Sequence, residues 1–165
     1  LAYVFYFLNT AERGIKMNFE LRKLSIAESG EIRNLIRDAF SAAPWNDDWS
    51  DEAQFCAYIV DLVGNPNSLA LGLFENGQMI GVSLGRVRHW YTGTEYCIDD
   101  LGIKTEKQGS GAGTEFLRQI EIFLRERGIK RIILKTNKNA PAYYFYKKNG
   151  FIEAQQDVFF AKEVE

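Results

Sequence analysis

The segment Gln108-Gly109-Ser110-Gly111-Ala112-Gly113-Thr114 places three glycines where an amphipathic helical pattern begins. Glycine permits a tight turn and lets a ligand reach the backbone with no Cβ in the way. Amides at a helix N-terminus are unsatisfied and lie at the positive end of the helix dipole, so such a loop suits an anion. Two common phosphate loops do not fit. A dinucleotide fingerprint starting at Gly109 needs glycine where Thr114 stands, and one starting at Gly111 needs it at Phe116. The Gly-Lys-Ser/Thr ending of a nucleotide P-loop is missing as well. The plain alternative is a strand-to-helix turn.

Tyr96-Cys97-Ile98-Asp99-Asp100-Leu101 sets two adjacent acids in an otherwise apolar strand-like run. A carboxylate there can act as a general base. Strand alternation sends Asp99 and Asp100 to opposite faces unless a bulge intervenes, and either can be a solvated edge residue. Tyr146 shares a helical face with Ala142 and Phe145, as a core aromatic or as a phenol available for proton transfer. The loop Ala43 to Glu52 sets Trp45 and Trp49 among acids that include Asp48, a composition suited to a cationic ligand. Anchoring tryptophans, with acids favouring a helix N-terminus, account for it equally well. His89 and Cys97 stand opposite each other if a hairpin turn centres on Thr92 and Gly93, which would allow a thiolate nucleophile; as isolated residues they read more simply as structural.

These residues need elements to hold them. Phe19 to Leu24 reads as a strand, and Ile32, Leu35, Ile36, Ala39 and Phe40 recur at helical spacing. Ser50 can cap a second helix carrying Phe55, Tyr58, Ile59 and Leu62 on one face and ending near Gly64. Two strand-like runs, Ser68 to Phe74 and Met79 to Trp90, are joined by Asn76-Gly77, a strong hairpin signal. A second hairpin turns around Tyr91 to Thr94 and returns along Glu95 to Ile103. The glycine loop then opens a helix with Phe116, Leu117, Ile120, Phe123 and Leu124 inward, stopped by Gly128 and followed by a strand, Arg131 to Lys135. Strand, loop, helix and strand form one βαβ crossover, which brings the flanking strands parallel. A helix over Asn139 to Lys148 and a strand-like tail from Phe151 to Ala161 complete the α/β pattern.

The chain of 165 residues suits one globular unit. Twenty basic and 22 acidic residues leave a net charge of −2, with no electrostatic footprint for nucleic acid. Cys56 and Cys97 stand far apart in apolar surroundings, so a reducing cytoplasm is the default compartment. The apolar run Leu1 to Leu8 is too short to span a bilayer and lacks the flanks of a signal peptide. Residues 1–16 are taken as an N-terminal extension and 17–165 as the domain; no metal and no membrane partner are expected.

Ile103 to Gly113 resembles the pyrophosphate motif of the GNAT superfamily, Gln/Arg-x-x-Gly-x-Gly/Ala, preceded by an apolar strand end. Asn139-Ala140-Pro141-Ala142-Tyr143-Tyr144-Phe145-Tyr146-Lys147-Lys148-Asn149-Gly150-Phe151 resembles the later motif of the same superfamily, in the right order. The resemblance implies an acetyl-CoA-dependent N-acetyltransferase, possessing a mixed, mostly antiparallel sheet flanked by helices and a splayed strand pair that holds acetyl-CoA. It assigns the pyrophosphate to Gln108, Gly109, Ser110, Gly111, Ala112, Gly113 and Thr114, and the pantetheine arm to Leu101, Gly102, Ile103 and Asn139. Tyr146 becomes the acid for the CoA thiolate, and Asp100 or Asp99 the base. Asp100 matches the acid of many aminoglycoside-type members, whereas alternation favours Asp99. Trp45, Asp48 and Trp49 would bind the acceptor, a small cationic amine. A CoA-binding sensory module, a ping-pong route through Cys97 and a homodimer stay open.

Overall fold

The computed structural model describes residues 18–164, so the expected extension 1–16 and Met17 lie outside the described residues. Two compact units meet in sequence at Lys135 and Thr136. The first contains strands β1 (Phe19–Leu24), β2 (Ala70–Glu75), β3 (Gln78–Trp90), β4 (Gly93–Ile103) and β5 (Arg131–Leu134). Its helices are α1 (Ser29–Phe40), α2 (Glu52–Val63) and α3 (Ala112–Arg125). The second contains α4 (Pro141–Lys148).

The strands form one sheet in the order β1-β2-β3-β4-β5, antiparallel throughout except for the parallel pair β4 and β5. That one parallel pair follows from the crossover through α3. The turn Asn76-Gly77 is as its sequence demands: both residues have positive φ, 51° and 80°, and Glu75 faces Gln78 across a two-residue link.

Apolar side chains bury both sheet faces. Ile32, Leu35, Ile36, Phe55 and Ile59 of α1 and α2 cover Val82 and Leu84 on one face. Phe116, Ile120 and Leu124 of α3 cover Leu71, Leu73, Tyr96, Ile98 and Ile103 on the other. At the far end of β4 the Glu95 carboxylate, 2% exposed, is gripped by Arg88 of β3 at 2.7 Å and Arg131 of β5 at 3.0 Å. One acid thus ties three strands.

Three expectations are corrected. The hairpin turn is Tyr91-Thr92, because Trp90 pairs with Gly93. Asp51, not Ser50, caps α2; its extended backbone lets Oδ1 accept from the N–H groups of Ala53 and Gln54, each at 3.0 Å. The tail from Phe151 onward forms no strand among the described residues, since β propensity becomes a strand only where a ladder partner accepts it.

Candidate active site

The glycine loop turns through two left-handed residues, Gly109 at φ +74° and Gly111 at φ +92°. Gly111 is the N-cap of α3, and no side chain caps that helix. Among the described residues no protein acceptor meets the N–H groups of Gly109, Ser110, Gly111, Gly113 or Thr114. A Cβ at Gly109 or Gly111 would stand in open space, so packing does not demand glycine here; backbone sign and clearance do. This bare, clear helix start fits the anionic end of acetyl-CoA. The other loop residues work inward: the Gln108 amide donates to the Ile103 carbonyl at 3.1 Å, Ser110 Oγ donates to the Lys107 carbonyl at 2.7 Å, and Ala112 is buried.

Gln108 thereby fastens the loop to the end of β4. The parallel ladder of β4 with β5 stops at Ile98 and Leu134, so among the described residues β4 has no ladder partner on that edge from Asp99 to Ile103. Lys104 N–H bonds to the Ile80 carbonyl, which by antiparallel alternation turns the backbone groups of Gly102 toward β3 and those of Leu101 and Ile103 to the open edge. Gly102 has a packing reason of its own, because a Cβ there would meet Phe40 at 3.0 Å and Ala39 at 3.2 Å on α1.

A bulge settles the facing of the two acids. Gly85 pairs with Ile98 and Leu84 with Asp100, leaving Asp99 as the extra residue on β4. Gly85 permits this approach, since a Cβ there would lie 2.1 Å from the Cys97 carbonyl oxygen. The bulge moves the α3-facing positions from Tyr96 and Ile98 to Leu101 and Ile103, and so turns Asp100 toward α1 and α2. Both Asp99 oxygens take the Arg86 guanidinium, at 2.8 and 2.6 Å. Asp100 Oδ2 accepts the Tyr58 hydroxyl of α2 at 2.5 Å. Burial raises the Asp100 carboxyl above its ordinary range; the Tyr58 hydrogen bond opposes this, and the charges of Asp99 and Asp47 add to it. Burial, then the Asp100 charge, pushes the Tyr58 phenol far above its usual range, so it stays a donor.

Sequence reading missed Tyr58, Arg86, Gly85 and Asp47 as parts of this cluster. Gly85, one of two glycines inside the β3 pattern with Gly81, was the available signal for a bulge. Tyr58 gave none, because on its helix it reads as one more inward aromatic.

The loop between α1 and α2 separates the predicted acceptor residues. Trp49 stacks on Phe55 and Tyr58, with centroids 4.7 and 4.9 Å away, and its buried indole N–H meets no acceptor among the described residues. Its carbonyl takes Arg37 at 3.2 Å, while Arg33 and Arg37 both pair with Glu52. Trp49 is thus packed on α2. Trp45, half-buried, tilts against Phe40 at 5.9 Å, and Asp48 accepts the Ser50 N–H at 3.0 Å. The hydrogen bonds from Ser50 hold the Asp48 carboxyl below its usual range, whereas desolvation raises its neighbour Asp47.

The pairing of His89 with Cys97 does not occur. Cys97 stands opposite Arg86, and His89 Nδ1 lies 3.1 Å from Thr94 Oγ1. Burial raises the Cys97 thiol, the reverse of what an activated nucleophile needs. In the second unit Tyr146 is 9% exposed, edge-on to Phe145 and Phe151 at 5.3 and 5.2 Å. Asn139 lies before α4, its N–H donating to Asn137 Oδ1 at 2.9 Å. A cleft of about 550 Å³ bordered by Glu31, Asp38, Gln78 and Glu106 contains none of the predicted site residues. No group of acids, histidines and cysteines among the described residues could hold a metal, and no described helix is long and apolar enough to cross a membrane.

The sheet is thus mostly antiparallel, and its single parallel pair ends on the strand that Gln108 ties to a glycine-built helix start. The chain belongs to the acetyltransferase (GNAT) family, whose sequence pattern matches residues 30–151, and is an N-acetyltransferase. No match to it is found among curated proteins. Among solved structures it is similar to an aminoglycoside acetyltransferase, meta-AAC0020, from an uncultured soil metagenomic sample in complex with sisomicin. The TM-score is 0.70 at 19% identity, covering 89% of this chain and 97% of that one. Aminoglycoside N-acetyltransferase AAC(6')-Iy in complex with CoA gives 0.69 at 14% identity, covering 94% and 100%. A transcriptional regulator from Bacillus halodurans C-125 gives 0.70 at 15%, covering 88% and 100%.

Proposed function

We propose that the chain moves an acetyl group from acetyl-CoA to a primary amine by direct attack, the acceptor being a small cationic amine. The observation that carries this reading is on β4. A partly buried carboxylate with no cation bonded to it among the described residues, Asp100, stands next to backbone groups turned to an open strand edge, and Gln108 links that edge to a bare helix start.

When bound, acetyl-CoA supplies a thioester, an acyl group already activated toward an amine. The unpaired amides of Gly109, Ser110, Gly111, Gly113 and Thr114 would hold its pyrophosphate, Leu101, Gly102 and Ile103 would line the pantetheine arm with an outward N–H of β4 to polarise the thioester carbonyl, and the family resemblance adds Asn139 to that arm. Asp100 takes the proton of the acceptor ammonium. As the N–C bond forms and the C–S bond breaks, the leaving sulfur needs a proton, a role that the family resemblance assigns to the Tyr146 phenol. Asp47, Asp48 and Trp45 make the surroundings favourable for a cation, whereas both oxygens of Asp99 are taken by Arg86. The sisomicin-bound relative supports an acceptor of this class.

The test pairs a panel of amines, assayed for free thiol, with calorimetry of CoA binding to Gly111→Val. That variant forces a β-branched residue to φ +92° and fills the space before the amides. CoA affinity is expected to fall at least tenfold; an unchanged affinity removes the assignment of the loop.

A further inference from the structure

We propose that Tyr58 is a positioning residue for Asp100: its phenol proton, held on Oδ2, fixes the carboxylate and leaves Oδ1 to take the proton of the acceptor. The inference rests on the reading of Asp100 as the base.

Four observations carry it. The contact joins residues on different elements, α2 and β4, at 2.5 Å, short for a hydroxyl on a carboxylate. The Tyr58 ring does not swing freely, because it stacks on Trp49, which in turn stacks on Phe55. The neighbouring acid is committed elsewhere, with Arg86 holding both oxygens of Asp99. Finally, a carboxylate turns easily about its terminal torsion, so a fixed donor is what gives Asp100 one orientation. The charged or titratable groups that act on Asp100 are Tyr58 from α2, Asp99 from β4 and Asp47 from the α1–α2 loop, and Arg86 from β3 holds Asp99. Of these only Tyr58 bonds to it.

A tie between α2 and β4 that merely stabilised the fold would show in melting and nowhere else. Positioning shows in the titration of Asp100. The hydrogen bond favours the carboxylate, so Tyr58→Phe should move the acid limb of kcat/KM to higher pH. The carboxyl ¹³C resonance of Asp100, assigned by its loss in Asp100→Asn, should move the same way. Turnover at neutral pH should fall about tenfold. Site-specific 3-fluorotyrosine at position 58 keeps the shape and strengthens the donor, so both inflections should move to lower pH, even if Tyr58→Phe does not fold. If neither replacement moves the limb or the resonance while Asp100→Asn is inactive, the positioning role is overturned and the base assignment survives. Wild-type turnover in Asp100→Asn removes the base assignment and this inference with it.

Discussion

The two ends of β4 treat a carboxylate in opposite ways. Glu95 is almost wholly buried and meets two guanidinium groups, from Arg88 and Arg131. Asp100, five residues farther along the same strand, meets a phenol and two like charges. A buried acid matched by cations is a fastener, because pairing offsets its loss of water. One left with a neutral donor is held above its ordinary titration range and ready to take a proton. If the proposed function holds, the strand joins a structural acid to the base of the reaction, and substitution should separate the two.

Asp100→Asn should give the largest change, a fall in kcat of about 10²-fold or more, read from thiol release with an accepted amine. It should also stabilise the fold at neutral pH. The folded carboxyl titrates above its unfolded value, so the native state binds the proton more tightly, and stability falls as pH rises from the unfolded value through the folded one. Asparagine carries no charge and keeps an acceptor for Tyr58. A Tm above wild type at pH 7, with the difference vanishing at low pH, is the expected melting result; an unchanged gap across pH would break the contrast.

Glu95→Gln should do the reverse. Losing the charge between two half-exposed arginines should cost about 2 kcal/mol, discounted from a fully buried pair because water reaches both partners. Thermal melting should show Tm lower by roughly 4–8 °C, with kcat within about twofold of wild type. A large loss of kcat in a folded variant would mean that both ends of β4 serve the reaction.

Cys97→Ala, between these two acids, should have the smallest effect. The thiol is buried, titrates high and has no histidine opposite it, so steady-state turnover should stay within about twofold. An acetylated Cys97 in mass spectra of the wild type would restore the thiolate route.

The features legible in the sequence are those set by a few adjacent residues. Asn76-Gly77 specifies its turn because both central residues must take positive φ. Gly109 and Gly111 specify a left-handed entry to α3, and the apolar spacing of α1, α2 and α3 identifies the faces that pack on the sheet. The crossover through α3 dictated the one parallel pair. Cap and turn placement slipped by one residue at Asp51 and Tyr91-Thr92, where neighbouring residues compete on nearly equal terms and packing breaks the tie.

The candidate site needed the tertiary structure. Two adjacent acids in a strand are symmetric until a bulge chooses between them, and that bulge depends on Gly85 meeting Cys97 across the ladder. Arg86 reaches Asp99 through the same register, and Tyr58 reaches Asp100 only because α2 packs on that face. Trp49, read equally as ligand aromatic or anchor, stacks on Phe55 and Tyr58, a placement that α2 provides. The sequence by itself determined the local conformations, the faces that bury and the anion-ready start of α3, because steric limits on φ and apolar periodicity act over a few residues. Only the tertiary structure decided which carboxylate is neutralised and which is left poised, because charge and solvation are settled by neighbours far away in the chain.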